Sequence, residues 1–412
     1  MFRRPGRGRL TAVVISTTVS LALLAGCRAD IGPSSRPPDA ATTVPTVASQ
    51  ANLPATATAL SGPTTLPSPS RAASTPATSA VGPTASPPAA TPTPTERPIV
   101  SVSPAPPPTA APHSQLKVQE YPVPRGSHPH DVAPAPDGTV WYTAQATGEL
   151  GRLDPKTGQT RQVKLGAGSA PHGVIVGPDG APWITDGGLN AIVRVDPQTD
   201  AVKVYPLPAG SANANLNTAA FDKQGVLWFT GQSGVYGRLD PAEGQVQTFQ
   251  APNGPGPYGI TATPDGQVFY ASLAGSYIAR LDTRTGVATV ITPPTTSQGA
   301  RRVWSDSQGK VWVSEWNAGK LARYDPVANS WREWKLPGNN PMTYAVYVDA
   351  FDMVWVSDFG ANALWRFDPT REAFDLFRHT QPNANVRQLL GNAREVWGAM
   401  SGQDKLVVVR YP

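Results

Sequence analysis

The chain has 412 residues, with 34 basic and 29 acidic side chains, a formal net charge of +5 and a single cysteine. One cysteine excludes a disulfide framework. Arg3, Arg4, Arg7 and Arg9 all fall in the first 26 positions. Without that segment the balance is 30 against 29, and no basic tract with interleaved aromatics is left to bind nucleic acid.

Residues 1–26 read as an export signal: the four arginines precede an apolar run from Leu10 to Ala25 that is short and hydroxyl-rich for a membrane span. The run ends in Leu24-Ala25-Gly26-Cys27, which resembles the lipobox of bacterial lipoproteins. That resemblance implies a diacylglyceryl group on Cys27, and two or more acyl chains suffice for stable membrane anchoring. The expected location is the cell envelope, outside the cytoplasm.

Residues 27–114 are dominated by Pro, Thr, Ala and Ser, and no Phe, Tyr or Trp lies between Cys27 and Tyr121. Such a stretch cannot bury enough apolar surface to offset its ordering entropy, which predicts a disordered tether of polyproline character. Its mean reach is about 50 Å, rising to about 250 Å when fully extended.

From 115 to 412 one pattern recurs, clearest in PHGVIVGPDGAPWITDGGLNAIVRVDPQTDAVKVYPLPAG at 171–210. Its marker Arg194/Asp196 returns as Arg152/Asp154, Arg238/Asp240, Arg280/Asp282, Arg323/Asp325 and Arg366/Asp368, with the aspartates 42, 44, 42, 43 and 43 residues apart, and a seventh arginine, Arg410, falls 44 residues after Arg366. Each copy reads as four short strands punctuated by PDG-type and PxTG-type turns. Four strands per unit of about 40–45 residues define a propeller blade, whose two apolar faces are buried only against neighbouring blades. Trp141, Trp183, Trp228, Phe269, Trp312, Trp355 and Trp397 occupy one equivalent position and are expected to wedge between blades. The repeated Arg/Asp markers read as turn clamps, with Asp capping the turn that follows.

The last copy lacks an outer strand, while Leu116 to Pro124 (LKVQEYPVP) reads as an outer strand without a blade. Pairing the two closes the ring and removes exposed edges. The expected fold is therefore all-β: a seven-bladed β-propeller of four-stranded antiparallel blades, monomeric, with the N-terminal strand completing the last blade.

Candidate site residues follow from the repeat symmetry. The loop entering the first strand of a blade and the loop leaving the second share one face, so a residue opening the first strand and one about 14 positions later ring the central opening. The pairs are His130/Ala144, His172/Asp186, Asn217/Gly231, Tyr258/Ser272, Arg301/Glu315, Tyr344/Asp358 and Arg387/Met400. Convergent polar groups at such a mouth are the place to look for a ligand. Trp316 and Phe359, just after Glu315 and Asp358, join them as aromatic candidates.

The motifs PHGVIVGPDGAPWITD...NAIVRVDP, PYGITATPDG at 257–266 and VWVSEWNAGKLARYDP at 311–326 resemble those of the streptogramin B lyases, also called virginiamycin B lyases, over essentially all of 115–412. The resemblance implies a Mg2+-assisted C–O elimination that opens a cyclic depsipeptide ester, with a histidine as base and acids holding the metal. Carried onto this chain, His172 and His130 are the catalytic candidates, and Asp186 and His128 the metal candidates. Two departures are visible. Ala170 stands two residues before His172, where the family has an acid, and these histidines lie in the first two blades rather than near the C-terminal end of the ring. In blade order the family's histidine positions correspond here to Tyr344 and Arg387.

Two readings stay open at the level of sequence. As a binding module, the propeller uses Tyr258, Arg301, Glu315, Trp316, Tyr344, Asp358, Phe359 and Arg387 to hold a small polar, anionic or lactone-like ligand, a cell-wall component or a protein partner. As an enzyme, it uses His172 as the base of a carbon–oxygen lyase.

Overall fold

The computed structural model describes residues 110–209, 211 and 213–412. The export signal, Cys27 and the 28–109 part of the tether lie outside the described residues. Seven four-stranded antiparallel sheets make up the described chain, together with one short helical turn, His113–Gln115. Among the described residues no helix is long and apolar enough to cross a membrane.

Six blades are built in order, beginning at Pro129, Pro171, Leu216, Pro257, Ala300 and Thr343, each with its first strand innermost and its fourth at the rim. The seventh takes Val386–Gly391, Glu395–Met400 and Lys405–Arg410 from the C-terminus and its outer strand, Lys117–Pro122, from the other end of the domain. The ladder runs from Lys117 opposite Arg410 to Pro122 opposite Lys405. Tyr121 stacks on Trp397 with ring centroids 5.6 Å apart, so closure adds aromatic packing to backbone pairing. Contacts with the propeller begin ahead of the 115 boundary read from the sequence: the Ala111 carbonyl accepts from Arg366 at 2.8 Å, and the His113 ring lies 4.3 Å from that of Phe377.

The second-strand aromatics pack as the repeat suggests. Trp141 lies among residues of the second blade, Trp183 among those of the third, and so on around to Trp397, which joins the first blade to the seventh. Four indoles donate to the aspartate of the turn before their own strand: Trp183 to Asp179 at 3.1 Å, Trp228 to Asp222 at 2.8 Å, Trp312 to Asp306 at 2.9 Å and Trp355 to Asp349 at 2.7 Å. Polar atoms buried with these rings are thereby satisfied.

The marker aspartates cap turns through their carboxylates, as when Asp196 accepts from the backbone N–H of Gln198 and Thr199 at 3.0 and 2.9 Å. The marker arginines do something the sequence does not announce. Arg152 lies 4.7 Å from the ring centre of Trp141, and Arg238, Arg323 and Arg410 lie 5.6, 5.5 and 5.5 Å from those of Trp228, Trp312 and Trp397. Each closes its aromatic wedge with a cation over the ring face.

Candidate functional site

Every inner hairpin carries a register shift near the start of its first strand, between Pro129 and Val132 in the first blade and between Ala300 and Val303 in the fifth. The residue opposite the end of the second strand is Pro129, Pro171, Leu216, Pro257, Ala300, Thr343 or Val386, one position before the residue expected from the repeat. The expected ring residues sit inside the bulge itself. Neighbours on a regular strand face opposite sides of a sheet, whereas a bulge re-aims one of them. In the first and fifth blades two consecutive side chains, His130-Asp131 and Arg301-Arg302, thus reach the centre of the ring.

Contacts between non-adjacent blades establish that convergence. Arg302 donates to Asp131 of the first blade at 2.9 Å and to Thr218 of the third at 2.7 Å. Its neighbour Arg301 donates to the Tyr258 hydroxyl at 2.9 Å, and Tyr258 is hydrogen-bonded in turn to Tyr344. Arg387 approaches the Tyr344 hydroxyl at 3.5 Å and donates to Ser401 at 2.7 Å. Asp131, Thr218, Arg302 and Gln388, which accepts from the Val132 N–H at 3.0 Å, form a second tier that symmetry alone did not identify. Their signal was present: two successive polar residues in an otherwise apolar strand, as in His130-Asp131 and Arg301-Arg302, break the period-two alternation.

The aromatic candidates gather around Arg301. Its guanidinium carbon lies 3.6 Å from the ring centre of Tyr344, 4.5 Å from that of Tyr258 and 4.7 Å from that of Trp316. Phe359 stacks on Tyr344 at 4.9 Å, and Trp316 meets both edge to face, at 5.4 Å from Phe359 and 5.7 Å from Tyr344. Tyr258, Arg301 and Tyr344 are buried, while Trp316, Phe359 and Arg387 are partly exposed and lead from solvent to them.

The histidine group is different in character. His130 and His172 pack ring against ring at 3.7 Å, and His130 is 2.8 Å from Asp131. Both nitrogens of His172 lie near Asn217, Nδ1 at 3.0 Å from its carbonyl and Nε2 at 3.2 Å from its amide. Burial, reinforced by Arg387, Arg302 and Arg301, holds His130 well below the usual histidine range. Burial and the neighbouring His130 do the same to His172. Asp186 is not directed at His172. Its carboxylate accepts from the Ser169 hydroxyl and from the N–H groups of Ala170, Gly188 and Leu189, at 2.5, 2.9, 3.0 and 2.9 Å, and so caps a loop. Asp358 does the same with Met342, Gly360 and Ala361. His128 is exposed, with its Nδ1 3.1 Å from the Ser401 carbonyl.

Glu315 stands apart from both groups. Its side chain is fully buried, and among the described residues neither carboxylate oxygen has a partner, nor has the amide of the equally buried Gln298. Burial, with Glu333 adding to it, pushes the Glu315 carboxyl up to about 8.

These residues do not fit magnesium. His130, Asp131 and His172 bring ligand atoms within 4.8 Å of one another, but they offer two nitrogens and one oxygen, whereas Mg2+ takes oxygen donors. Asp131 is already paired with Arg302, Asp186 is consumed by backbone N–H groups, and His128 is held at Ser401. Three guanidiniums, Arg301, Arg302 and Arg387, face one carboxylate, Asp131, at the centre, a field that favours anions. Open clefts of about 560 and 680 Å3 lie between the rims of the fourth and fifth blades, around Trp331, and on the fourth blade, around Val287, away from this concentration of buried charge.

Fold and site define the class: a seven-bladed propeller with a cationic, aromatic-lined centre. The chain belongs to the virginiamycin B lyase family, whose sequence model matches residues 110–367. No curated protein sequence matches it. Among solved structures, a streptogramin B lyase is 22% identical, covering 72% of this chain and 98% of that one with a TM-score of 0.66. Virginiamycin B lyase from Staphylococcus aureus is 21% identical, covering 72% and 100%, with a TM-score of 0.67. A catalytically inactive variant of the same enzyme, solved with quinupristin, gives the same values. At such identities the likeness carries the fold.

Proposed function

We propose that this protein is a lipid-anchored, monomeric, extracytoplasmic propeller that binds a small carboxylate-bearing ring compound, such as a uronate of the cell envelope, at the centre of its ring. The observation carrying this reading is the arrangement of Arg387, Trp316 and Phe359, a partly exposed cation and two partly exposed ring faces set over buried Arg301 and Tyr344. A guanidinium suits a carboxylate, and aromatic faces suit the apolar side of a sugar ring. Metal-assisted opening of a depsipeptide by His172 is not extended to this chain, because the donors that reading needs are engaged elsewhere.

The test is calorimetric titration of the full chain with a glucuronate tetramer and with its methyl ester. Binding of the acid alone, weakened in Arg387→Ala, is expected; equal affinity for acid and ester overturns the reading. Anchoring rests on the motif ending at Cys27. Labelled palmitate is expected to enter the wild type and not Cys27→Ser, and an unlabelled wild type overturns it.

A further inference from the structure

We infer that the cleft between the rims of the fourth and fifth blades is a second ligand site, in which Arg280 pairs with the carboxylate of an acidic pyranose whose ring lies against Trp331. The site is separate from the one at the centre of the ring and does not rest on it.

A guanidinium out of pattern marks the place. Arg152, Arg194, Arg238, Arg323 and Arg410 lie over the second-strand tryptophans of their own blades, and Arg366 pairs with Asp375 at 2.6 Å. The fourth blade has Phe269 in place of that tryptophan, directly opposite Arg280. On the outer strand Arg280 faces Thr289, where the third and sixth blades offer their arginines Gln247 and Asp375. Arg280 is therefore exposed, and among the described residues it has no hydrogen bond, ion pair or aromatic partner.

The cleft it lines has about 560 Å3, within the range of small-molecule sites. Arg280, Thr289 and Ile291 form its fourth-blade wall, and Tyr324, Asn329 and Trp331 the wall opposite. The Tyr324 and Trp331 rings lie 5.0 Å apart, and Trp331 is partly exposed. Tyr324 donates to Asn329 Oδ1 at 2.9 Å, which leaves the amide nitrogen as a donor. Burial raises the Tyr324 hydroxyl, and the charge of Arg280 opposes that rise. Among the described residues no carboxylate lines the cleft. The acids next in sequence are occupied: Asp282 accepts from the N–H groups of Arg284 and Thr285 at 2.9 and 3.0 Å, and Asp325 from those of Val327 and Ala328, both at 3.0 Å.

Such a wall selects a ligand that combines negative charge with an apolar ring face. A guanidinium takes a carboxylate through two parallel N–H···O bonds. Thr289 and Asn329 can serve the ring hydroxyls, and a flat aromatic surface covers the C–H face of a pyranose. A bare anion would use only the first of these, and a neutral sugar only the others.

The experiment titrates the full chain, its indole nitrogens isotope-labelled, with methyl glucuronide, methyl glucoside and inorganic phosphate, and follows the tryptophan N–H signals by NMR. Trp331 is assigned from Trp331→Phe. The glucuronide is expected to shift the Trp331 signal, and the glucoside and phosphate to shift it far less. Arg280→Ala is expected to weaken the glucuronide by about tenfold or more, and Arg280→Lys to recover only part, because an ammonium lacks the planar fork. Both variants replace an exposed side chain, so both should keep the wild-type melting temperature. An unmoved Trp331 signal, an equal response to glucoside or phosphate, or wild-type affinity in Arg280→Ala overturns the inference. The Trp316 signal in the same spectra reports the central site. A responding Trp331 beside a silent Trp316 supports this inference and counts against the reading above, whereas the reverse overturns this inference alone.

Discussion

Arg302 and Asp131 join opposite parts of the ring, the fifth blade to the first, through a 2.9 Å charge-assisted hydrogen bond with both side chains buried. A second donor of the same guanidinium reaches Thr218 of the third blade at 2.7 Å, so one side chain ties three blades at the axis. Buried ion pairs add little over apolar residues of equal volume, but removing one partner strands the other charge. Asp131→Ala is therefore expected to cost about 3–5 kcal/mol in urea denaturation followed by circular dichroism, and Asp131→Leu with Arg302→Met to regain most of it. Equal losses in the single and double variants would contradict the pairing.

Glu315 gives the protein a pH-dependent stability. Its folded value of about 8 lies above the ordinary 4.5. Between the two, the folded chain holds a proton that the unfolded chain has released, so stability falls as pH rises through that window and stays low above it. Melting temperature should drop from about pH 5 to about pH 9 in the wild type, and the drop should be smaller in Glu315→Gln.

Closure of the ring by Lys117–Pro122 makes a separate prediction. Tyr121 is 5% exposed and stacks on Trp397, so Tyr121→Ala is expected to cost about 3–5 kcal/mol. Deleting the whole strand should be worse, because it bares the ladder of Lys405–Arg410, where Val407, Val408 and Val409 are buried. Size-exclusion chromatography should then show aggregates that the intact chain does not form.

Anion binding should follow charge and ignore metals. Replacing Arg387 by Ala removes one charged hydrogen bond, worth about 1.5–3 kcal/mol, or about 10- to 150-fold in affinity for the glucuronate tetramer. EDTA should leave that affinity unchanged, since the centre offers cations where a metal would need oxygens. Quenching of Trp316 fluorescence on titration, absent in Trp316→Phe, would place the ligand against that ring.

Much of the architecture was legible because the blade repeat is written in residues with one job each. The turn-capping aspartates set the period, the buried tryptophans set the wedge between sheets, and an orphan outer strand at one end answered a missing one at the other. The site was legible by position but not by direction. Asp186 and Asp358 occupy the expected places, yet their short side chains reach the N–H groups of the residues just beyond them, Gly188 and Gly360, before they reach the centre. Strand alternation assigns Asp131 and Arg302 to the faces between blades. Only a bulge brings them to the axis beside His130 and Arg301.

The closing strand also sets how the molecule bears force. Any tension carried along the chain upstream of Ala110 meets the propeller first at Ala111 and His113, held against Arg366 and Phe377, and then at Lys117–Pro122, next to the C-terminal strand that it pairs with. A pull along that strand loads its backbone ladder in shear, so its hydrogen bonds must rupture together instead of peeling one at a time. The seam of the ring is then also its mechanical joint, and Tyr121 on Trp397 is the bolt that resists slip.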